Sequence, residues 1–158
     1  MQPRFETLPA KLFCGIRMSM SYVDNKTGQL WRRFMLRRME ISQAIGTELY
    51  SMEVYPATFF ENFNPEAIFE KWAAVEVAEP NDAPADMEIL NIPAGLYAVF
   101  THYGPAANGP ETYRYIFTEW LPASGYRVAH RPHFAVMGEK YKSDSADSEE
   151  EIWIPICK

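Results

Sequence analysis

The sequence repeats PAKLF (9–13) as PAGLY (93–97), an offset of 84 residues (93 − 9). Each stretch leads into a run with alternating apolar positions, at 14–20 and at 98–101. This alternation is typical of a β-strand with one buried face. A repeat at this spacing indicates two copies of one structural unit, so we expect the later elements to recur in the same order.

A helix follows the first strand in both copies. Apolar residues recur at helical spacing over 30–35 in the first copy, after an N-cap at Asn25 or Thr27. In the second copy, residues 109–111 place a proline in the first helical turn, and Gly125 follows the last. Each unit is therefore expected to carry one helix at the same point along its chain.

Two more strands complete each copy. Trp72 and Trp153 lie in the last of them at an offset of 81 (153 − 72), and small differences in loop length account for this drift. The sequence predicts one α+β domain over 1–158, made of βαββ units at about 1–80 and about 85–158. The helices are expected on one side of an antiparallel sheet. The matched strand segments are 48–55 with 132–137, and 69–75 with 150–156.

The composition bounds the class of protein. With 158 residues and 47% hydrophobic residues, the chain suits a single globular domain. It has no bilayer-spanning apolar stretch, no signal-peptide pattern and only two cysteines, so a cytoplasmic protein without membrane contact is expected. A net charge of −6 argues against direct nucleic-acid binding. The aromatic fraction of 15% favours an aromatic-lined pocket.

No catalytic residue, cofactor or metal site is predicted, because the sequence lacks GxSxG, GxGxxG and P-loop patterns. His102, His130 and His133 are too few and too awkwardly spaced for a metal site, so they are interpreted as surface or loop histidines. Cys14 is interpreted as a buried, unreactive thiol. The arginines within 32–38 are interpreted as a solvated helix face.

Glu53 is the most informative charged residue. It lies within YSMEVY (50–55), where flanking apolar and aromatic side chains make a charge costly unless something compensates it. A carboxylate walled by aromatic rings suits an organic cation, because the rings add cation–π attraction to the net charge. The alternative is that Glu53 lies on a solvated sheet face, and this residue alone does not decide between the two.

The whole chain resembles the GyrI-like superfamily, through its two βαββ copies and most specifically through RPHFAVMGEKY (131–141) and SEEEIWIPI (148–156). This superfamily includes the effector-binding domains of AraC- and MerR-type regulators and free-standing integron-cassette proteins. The resemblance implies a pseudo-twofold pair of units around a ligand groove. That groove is lined by aromatic residues, usually centred on one glutamate, and takes bulky, often cationic, amphipathic compounds.

The sequence departs from the superfamily pattern at Ala135, where the resemblance implies a glutamate after the Pro-x-Phe phenylalanine. Glu53 is the equivalent position of the first copy (135 − 53 = 82), so one of two symmetric carboxylates is retained. The resemblance also implies aromatic residues sharing the groove with Glu53, each with core packing as its alternative. They are Trp31, Phe34, Tyr50, Tyr113, Phe117 and Trp153.

The expected function is that of a stand-alone protein that binds hydrophobic compounds, with cations as the expected class. Such a protein would act as a sensor related to multidrug-binding transcription regulators. Any role in transcription requires a protein partner, since no DNA-reading element is predicted. Two alternatives follow from the resemblance. One is a hydrolase of cyclopropane-containing toxins, which Ala135 disfavours because it removes a general base. The other is a protein that protects DNA gyrase.

Overall fold

The computed structural model describes residues 1–61, 64–80, 83–142 and 145–158. Within these ranges the chain forms a mixed α+β domain with one extended antiparallel sheet. The elements are β1 (Arg4–Leu8), β2 (Lys11–Met20), α1 (Thr27–Arg37), β3 (Leu49–Val54), β4 (Phe69–Val77), β5 (Glu88–Ile92), β6 (Gly95–Tyr103), α2 (Gly109–Tyr115), α3 (Leu121–Ser124), β7 (Arg127–Val128), β8 (His133–Met137) and β9 (Glu149–Cys157); a π-helical turn (Ile116–Trp120) joins α2 to α3.

The strands lie in the order β1-β6-β9-β8-β3-β4-β2-β5, and β7 pairs with β9. The first unit contributes β2, α1, β3 and β4, and the second contributes β6, α2, β8 and β9. The two units meet at the centre, where β3 and β8 pair with Ser51 opposite Ala135. This arrangement confirms the predicted α+β fold of two βαββ units. The strands β1, β5 and β7 are additions that the sequence patterns did not predict.

The added strands β1 and β5 are exchanged between the units. β1 precedes the first unit but pairs with β6 of the second, Leu8 opposite Gly95. β5 precedes the second unit but pairs with β2 of the first, Ile92 opposite Lys11. Each unit is therefore completed at its outer edge by a strand from the other half of the chain.

The register of the strands gives the equivalence between the units. Trp72 lies opposite Met52 in the first unit, and Trp153 lies opposite Phe134 in the second. These pairs superimpose with an offset of 82 between β3 and β8 (134 − 52). The sequence predicted the same offset of 82 for Glu53. The equivalent of Glu53 in the second unit is therefore Ala135, as predicted.

Both helices lie on one face of the sheet. Ser51 pairs with Ala73 on one side and with Ala135 on the other, and Ala135 pairs with Ile152, so all four side chains share a face. Ala73 belongs to the core under α1, and Ile152 belongs to the core under α2. The predicted placement of the helices on a single side is confirmed.

The opposite face is curled around an aromatic core. Phe13 on β2 and Phe134 on β8 have ring centroids 6.3 Å apart although β3 and β4 lie between their strands. Strands spaced about 4.8 Å apart would separate them by roughly 14 Å in a flat sheet, so the sheet bends toward this face. The buried residues of this core are Phe13, Met52, Trp72, Ala74, Ile92, Tyr97, Val99, Phe134 and Trp153.

The helices leave the middle of the sheet uncovered. α1 packs on β2 and β4 through the buried side chains of Leu30 and Phe34. α2 and the turn after it pack on β6 and β9, with Ile116 fully buried. The central strands β3 and β8 therefore form the floor of a groove whose two walls are the helices of the two units.

Candidate functional site

The floor of the groove carries the polar residues of β3 and β8. Glu53 pairs with His133, and Ser51 pairs with Ala135, so these four side chains point toward the helices. Because side chains alternate along a strand, Tyr55, two residues after Glu53, lies on the same side of the chain. The local sequence thus collects a carboxylate, a phenol and an imidazole on the surface between α1 and α2.

Glu53 is a buried carboxylate with an incomplete set of partners. Glu53 is only 8% exposed. Its Oε1 lies 3.9 Å from Nζ of Lys71, which is the residue opposite Glu53 on β4. Its Oε2 is buried and, among the described residues, has no hydrogen-bond partner. Burial raises the pKa of Glu53 to about 7; Lys71 opposes this shift and the carboxylate of Glu150 adds to it. Near neutral pH both the protonated and the ionised form of Glu53 are therefore populated.

Three tyrosines surround this carboxylate. The hydroxyl groups of Tyr22 and Tyr55 are 3.2 Å apart and share a hydrogen bond. Tyr113 reaches the groove from α2. Burial raises the pKa of all three phenols, and the negative charge of Glu53 raises each further. Neutral phenols from both units thus flank the carboxylate: Tyr55 and Tyr113 are half-buried, and Tyr22 is 46% exposed. The three rings are called the enclosure around Glu53.

A stack of aromatic rings adjoins this enclosure. Phe60 is stacked on Phe117 with centroids 5.2 Å apart and on His133 with centroids 5.3 Å apart. The rings of Tyr55 and His133 form a T-shaped pair with their centroids 4.9 Å apart. Burial lowers the pKa of His133 to about 3, so its imidazole is neutral and behaves as a further aromatic wall. The stack joins the turn after β3 to the helix of the second unit.

An open cleft of about 530 Å³ begins on the other side of this stack. Tyr55, Phe60 and His133 line the cleft as well as the enclosure around Glu53, so these three side chains are shared by both spaces. The rest of its lining comes from the turn after β3, from α3 and from the segment around β7, and it is mixed in character. It includes Pro56, Leu121, Pro122, Tyr126, Val128 and Arg131.

A second carboxylate lies farther along the same face. Glu150 pairs with His102 between β9 and β6, and burial raises its pKa while His102 and Lys71 lower it. His102 is itself buried; its Nε2 donates to the carbonyl of Pro105 at 3.0 Å, and its Nδ1 lies 2.7 Å from Oγ1 of Thr112. Among the described residues, Glu53 and Glu150 make the interior of the groove acidic, and Lys71 lies near both.

The structure brings together only part of the predicted site. Glu53, Ala135, Tyr113 and Phe117 all belong to the groove between the helices. Tyr113 is assigned to the groove because the charge of Glu53 raises the pKa of its phenol. Phe117 is assigned to it because its ring is stacked on that of His133. The role of these four residues in ligand binding stays a prediction.

The other four predicted residues pack in or against the core under α1 and the curled core of the opposite face. Phe34 is fully buried in the core under α1, and Trp31 packs against it with centroids 5.8 Å apart. Tyr50 and Trp153 lie in the curled core on the opposite face. The expectation that Trp31, Tyr113 and Trp153 line one hollow is therefore not met, since the three belong to three different clusters.

Two of the three histidines correct the sequence interpretation. His130 is exposed, as expected, but His102 and His133 are only 3% and 4% exposed. His133 was missed as a site residue together with Tyr22, Tyr55 and Phe60. A signal for two of them was present: Tyr55 is two residues from Glu53 and His133 is two residues from position 135, and that spacing places them on the same face. Phe60 and Tyr22 come from loops and carried no such signal.

The GyrI-like small molecule binding domain family matches residues 1–156 of this chain. The chain belongs to this family. The resemblance stated from the sequence is confirmed, and the protein is a GyrI-like small-molecule binding domain. Among the residues that the structure describes, no helix has both the length and the apolar character needed to cross a bilayer.

Individual relatives agree with this assignment. The transcriptional regulator BrlR of Pseudomonas aeruginosa is 29% identical over 157 residues, covering 99% of this chain and 56% of BrlR. The chain thus spans about half the length of this curated relative. The structure of SAV2435 bound to tetraphenylphosphonium has a TM-score of 0.78 at 14% identity and covers 99% of this chain and 94% of its own. The integron cassette protein VCH_CASS2 from Vibrio cholerae has a TM-score of 0.66 at 16% identity, with coverages of 99% and 97%.

Proposed function

We propose that this domain binds hydrophobic organic cations in the groove between its helices, with Glu53 as the counter-ion. The observation that carries the proposal is the buried Oε2 of Glu53, which has no hydrogen-bond partner in the described part of the chain. A buried carboxylate without compensation is unfavourable for folding. Its presence among aromatic walls is explained if a cationic ligand supplies the missing charge.

The surroundings of Glu53 suit a large, poorly hydrated cation. The rings of Tyr22, Tyr55 and Tyr113 enclose the carboxylate, and ring faces attract a cation placed within about 6 Å of their centroids. Because water is excluded, the attraction between the ligand and Glu53 is screened less than it would be at the surface. The neutral His133 adds contact area without adding a competing positive charge.

The cleft beside the ring stack gives such a ligand a route and a place for its apolar body. Its volume of about 530 Å³ is in the range of pockets that hold drug-sized molecules. Phe60, which is 40% exposed, stands between the cleft and the enclosure around Glu53. A ligand with several rings would fill the cleft and direct its charged centre toward Glu53 when Phe60 turns aside. The tetraphenylphosphonium bound to SAV2435 is a cation of this kind.

The test is a calorimetric titration at pH 8 with tetraphenylphosphonium and with neutral triphenylphosphine oxide. We expect Glu53→Gln to weaken binding of the cation by about 30-fold or more, because loss of a buried charge partner typically costs 2 kcal/mol or more. Binding of the neutral compound should change little. Glu119→Gln, at an exposed carboxylate, is the matched control. Equal affinities for the two compounds in the native protein would refute the electrostatic part of the proposal.

A hydrolase is the second candidate. The observation in its favour is that burial brings the pKa of Glu53 to about 7, which suits a general base near neutral pH. The hydroxyls of Tyr22 and Tyr55 lie beside it as proton donors. Incubation with a cyclopropane-containing toxin and product analysis by mass spectrometry decides the matter. Product formed by the native protein and absent with Glu53→Gln supports hydrolysis, and an unchanged toxin supports binding alone.

The likeness to BrlR supports a role for the domain as a sensor within transcription regulation. The net charge of −6 does not favour direct contact of this domain with DNA. Ligand occupancy would therefore have to act through a protein partner or another segment. The measurement is DNA binding by the domain alone, with and without tetraphenylphosphonium. Specific DNA binding by the isolated domain would contradict this division of roles.

A further inference from the structure

We infer that the preferred ligand of this groove carries a protonated amine, whose N–H donates a hydrogen bond to Oε2 of Glu53. The inference rests on the proposed function and narrows it from cations in general to N–H donors. It therefore separates secondary and tertiary ammonium compounds from quaternary ammonium and phosphonium compounds, which have the same charge but no donor.

The first step is the state of the acceptor. Oε2 of Glu53 is buried and unpartnered among the described residues, and the residue as a whole is more than nine-tenths buried. A buried carboxylate oxygen that accepts no hydrogen bond is rare in folded proteins. A ligand that only neutralises the charge would leave this acceptor unsatisfied. A ligand with an N–H group would satisfy both requirements.

The second step is that no described donor of the chain bonds to Oε2. Nζ of Lys71 lies 3.9 Å from Oε1, beyond the 2.7–3.2 Å range of an N–H···O bond, and it approaches the other oxygen. The hydroxyls of Tyr22 and Tyr55 are 3.2 Å apart, and one of them donates to the other rather than to the carboxylate. The open position at Oε2 is therefore left for a group from outside the chain.

The third step is the shape of the partner. Charge-assisted N⁺–H···O⁻ bonds are about 2.7–2.9 Å long, so the nitrogen of a protonated amine comes close to the carboxylate. A quaternary centre is held farther away by its substituents and makes no hydrogen bond. The rings around Glu53 would contact the alkyl and aryl groups of the amine, while the larger part of the molecule occupies the cleft. The ligand class is thus an amine with a multi-ring body.

The experiment compares a tricyclic tertiary amine with its N-methyl quaternary derivative, both by calorimetric titration at pH 8. Both ligands are cationic at this pH, and their ring systems are identical. We expect the amine to bind about ten-fold more tightly to the native protein, as one charge-assisted hydrogen bond provides. Glu53→Gln should weaken both ligands and remove most of that difference. Glu119→Gln should retain it.

A second variant separates the effect of the negative charge from the effect of the position of the carboxylate oxygens. Glu53→Asp keeps the negative charge but withdraws the oxygens by one methylene. The quaternary compound should therefore bind within about three-fold of its native affinity, while the ten-fold advantage of the amine should largely disappear. Thermal unfolding of each variant establishes that it is folded before binding is compared.

The outcomes distinguish the inference from the proposed function. If the quaternary compound binds as tightly as the amine, and both bind more tightly than a neutral analogue, the inference is overturned and the proposed function stands. If neither cation binds more tightly than the neutral analogue, the proposed function fails as well. A preference for the amine that persists unchanged in Glu53→Gln would assign the hydrogen bond to another acceptor and also overturn the inference.

Discussion

The two βαββ units present different chemistry at equivalent positions of the groove. In the first unit, Glu53 on β3 lies opposite Lys71 on β4. In the second unit, Ala135 on β8 lies opposite Ile152 on β9. The first pair is charged and the second is apolar, although both are buried beneath the same face. At this pair of equivalent positions only the first unit is charged, and the second unit supplies part of the aromatic wall through Tyr113 and Phe117.

On the opposite face of the sheet, by contrast, equivalent positions of the two units hold the same residue. Trp72 and Trp153 occupy equivalent positions in the curled core and have been kept identical. Even there the environments differ, because Nε1 of Trp153 donates to Glu151 at 3.2 Å whereas Nε1 of Trp72 is buried without a described partner. Symmetry is thus retained where the chain packs on itself and lost where the chain faces the groove. This difference separates the structural face from the functional face.

The largest effect is expected from making the groove symmetric with Ala135→Glu. The new carboxylate would be buried opposite Ile152 without a cation, so the free energy of unfolding at pH 8 should fall by about 3–5 kcal/mol. Urea denaturation measures the change. Ala135→Gln has nearly the same volume and serves as the control for crowding. Adding Ile152→Lys should recover part of the loss, and equal stability of the Glu and Gln variants would contradict the electrostatic explanation.

The next effect is a pH dependence produced by Glu53 of the first unit. Burial raises the pKa of Glu53 from its ordinary 4.5 to about 7, so between these values the folded protein keeps a proton that the unfolded chain has released. Stability should therefore decrease as the pH rises from 4.5 to 7, by on the order of 3 kcal/mol. Among the described residues, the other charged or titratable groups near Glu53 are His133, Lys71, Glu150 and the tyrosines Tyr22, Tyr55 and Tyr113.

His133 has the opposite pH dependence and must be separated from Glu53. Burial lowers its pKa from 6.5 to about 3, so the unfolded chain binds the extra proton and stability rises with pH over that interval. The difference in unfolding free energy between the native protein and Glu53→Gln isolates the carboxylate. That difference should change between pH 4.5 and 7 and become constant above about pH 8. A difference that is constant throughout would show that Glu53 is ionised normally.

A smaller effect is expected from Lys71→Met. This substitution removes the positive charge 3.9 Å from Glu53 that competes with a cationic ligand. Binding of tetraphenylphosphonium at pH 9, where Glu53 remains ionised, should strengthen about three- to ten-fold, as a partly screened charge pair allows. Ile152→Met changes the equivalent position of the second unit and should leave the affinity unchanged. Weaker binding in Lys71→Met would mean that the lysine positions the carboxylate rather than competing with the ligand.

The smallest change in affinity is expected from Trp153→Phe, since Trp153 lies on the face opposite Glu53. Stability should fall by about 1–3 kcal/mol because the substitution leaves unfilled volume in the core. The affinity for tetraphenylphosphonium should stay within about two-fold. Phe117→Leu, on the groove side, should instead weaken binding several-fold with a similar loss of stability. A large loss of affinity in Trp153→Phe would return this tryptophan to the binding site.

Periodicity was sufficient to predict the units, because each strand and helix buries a face at the spacing its geometry requires. The position of Glu53 among aromatic groove residues was instead implied by the family resemblance, because its own sequence neighbours left a solvated sheet face open. Periodicity did not predict β1 and β5, because their pairing partners lie in the other half of the chain. In the short strand Arg4–Leu8, for example, the apolar residue Phe5 is 49% exposed, and apolar residues do not alternate clearly between a buried and an exposed face. Its strand structure comes from the ladder with β6.

The aromatic residues of the site were harder to predict than the carboxylate. Tyr50 and Glu53 are three positions apart, so alternation alone already places them on opposite faces of β3. Trp153 required the register between β8 and β9, which no local pattern gives. Phe60 required the path of the turn after β3. Residues on loops and residues related by register depend on tertiary structure, and single-chain patterns do not contain that information.

The exchange of β1 and β5 has a consequence for the origin of the asymmetric groove. A chain with one unit could complete its sheet by giving its first strand to a second copy of itself, which makes a homodimer. Such a homodimer would necessarily hold two carboxylates, or none, at the place of Glu53 and Ala135. Joining the copies in one polypeptide frees the two positions to diverge. At this pair of positions, a carboxylate facing a neutral counterpart is open to the fused chain and closed to a homodimer.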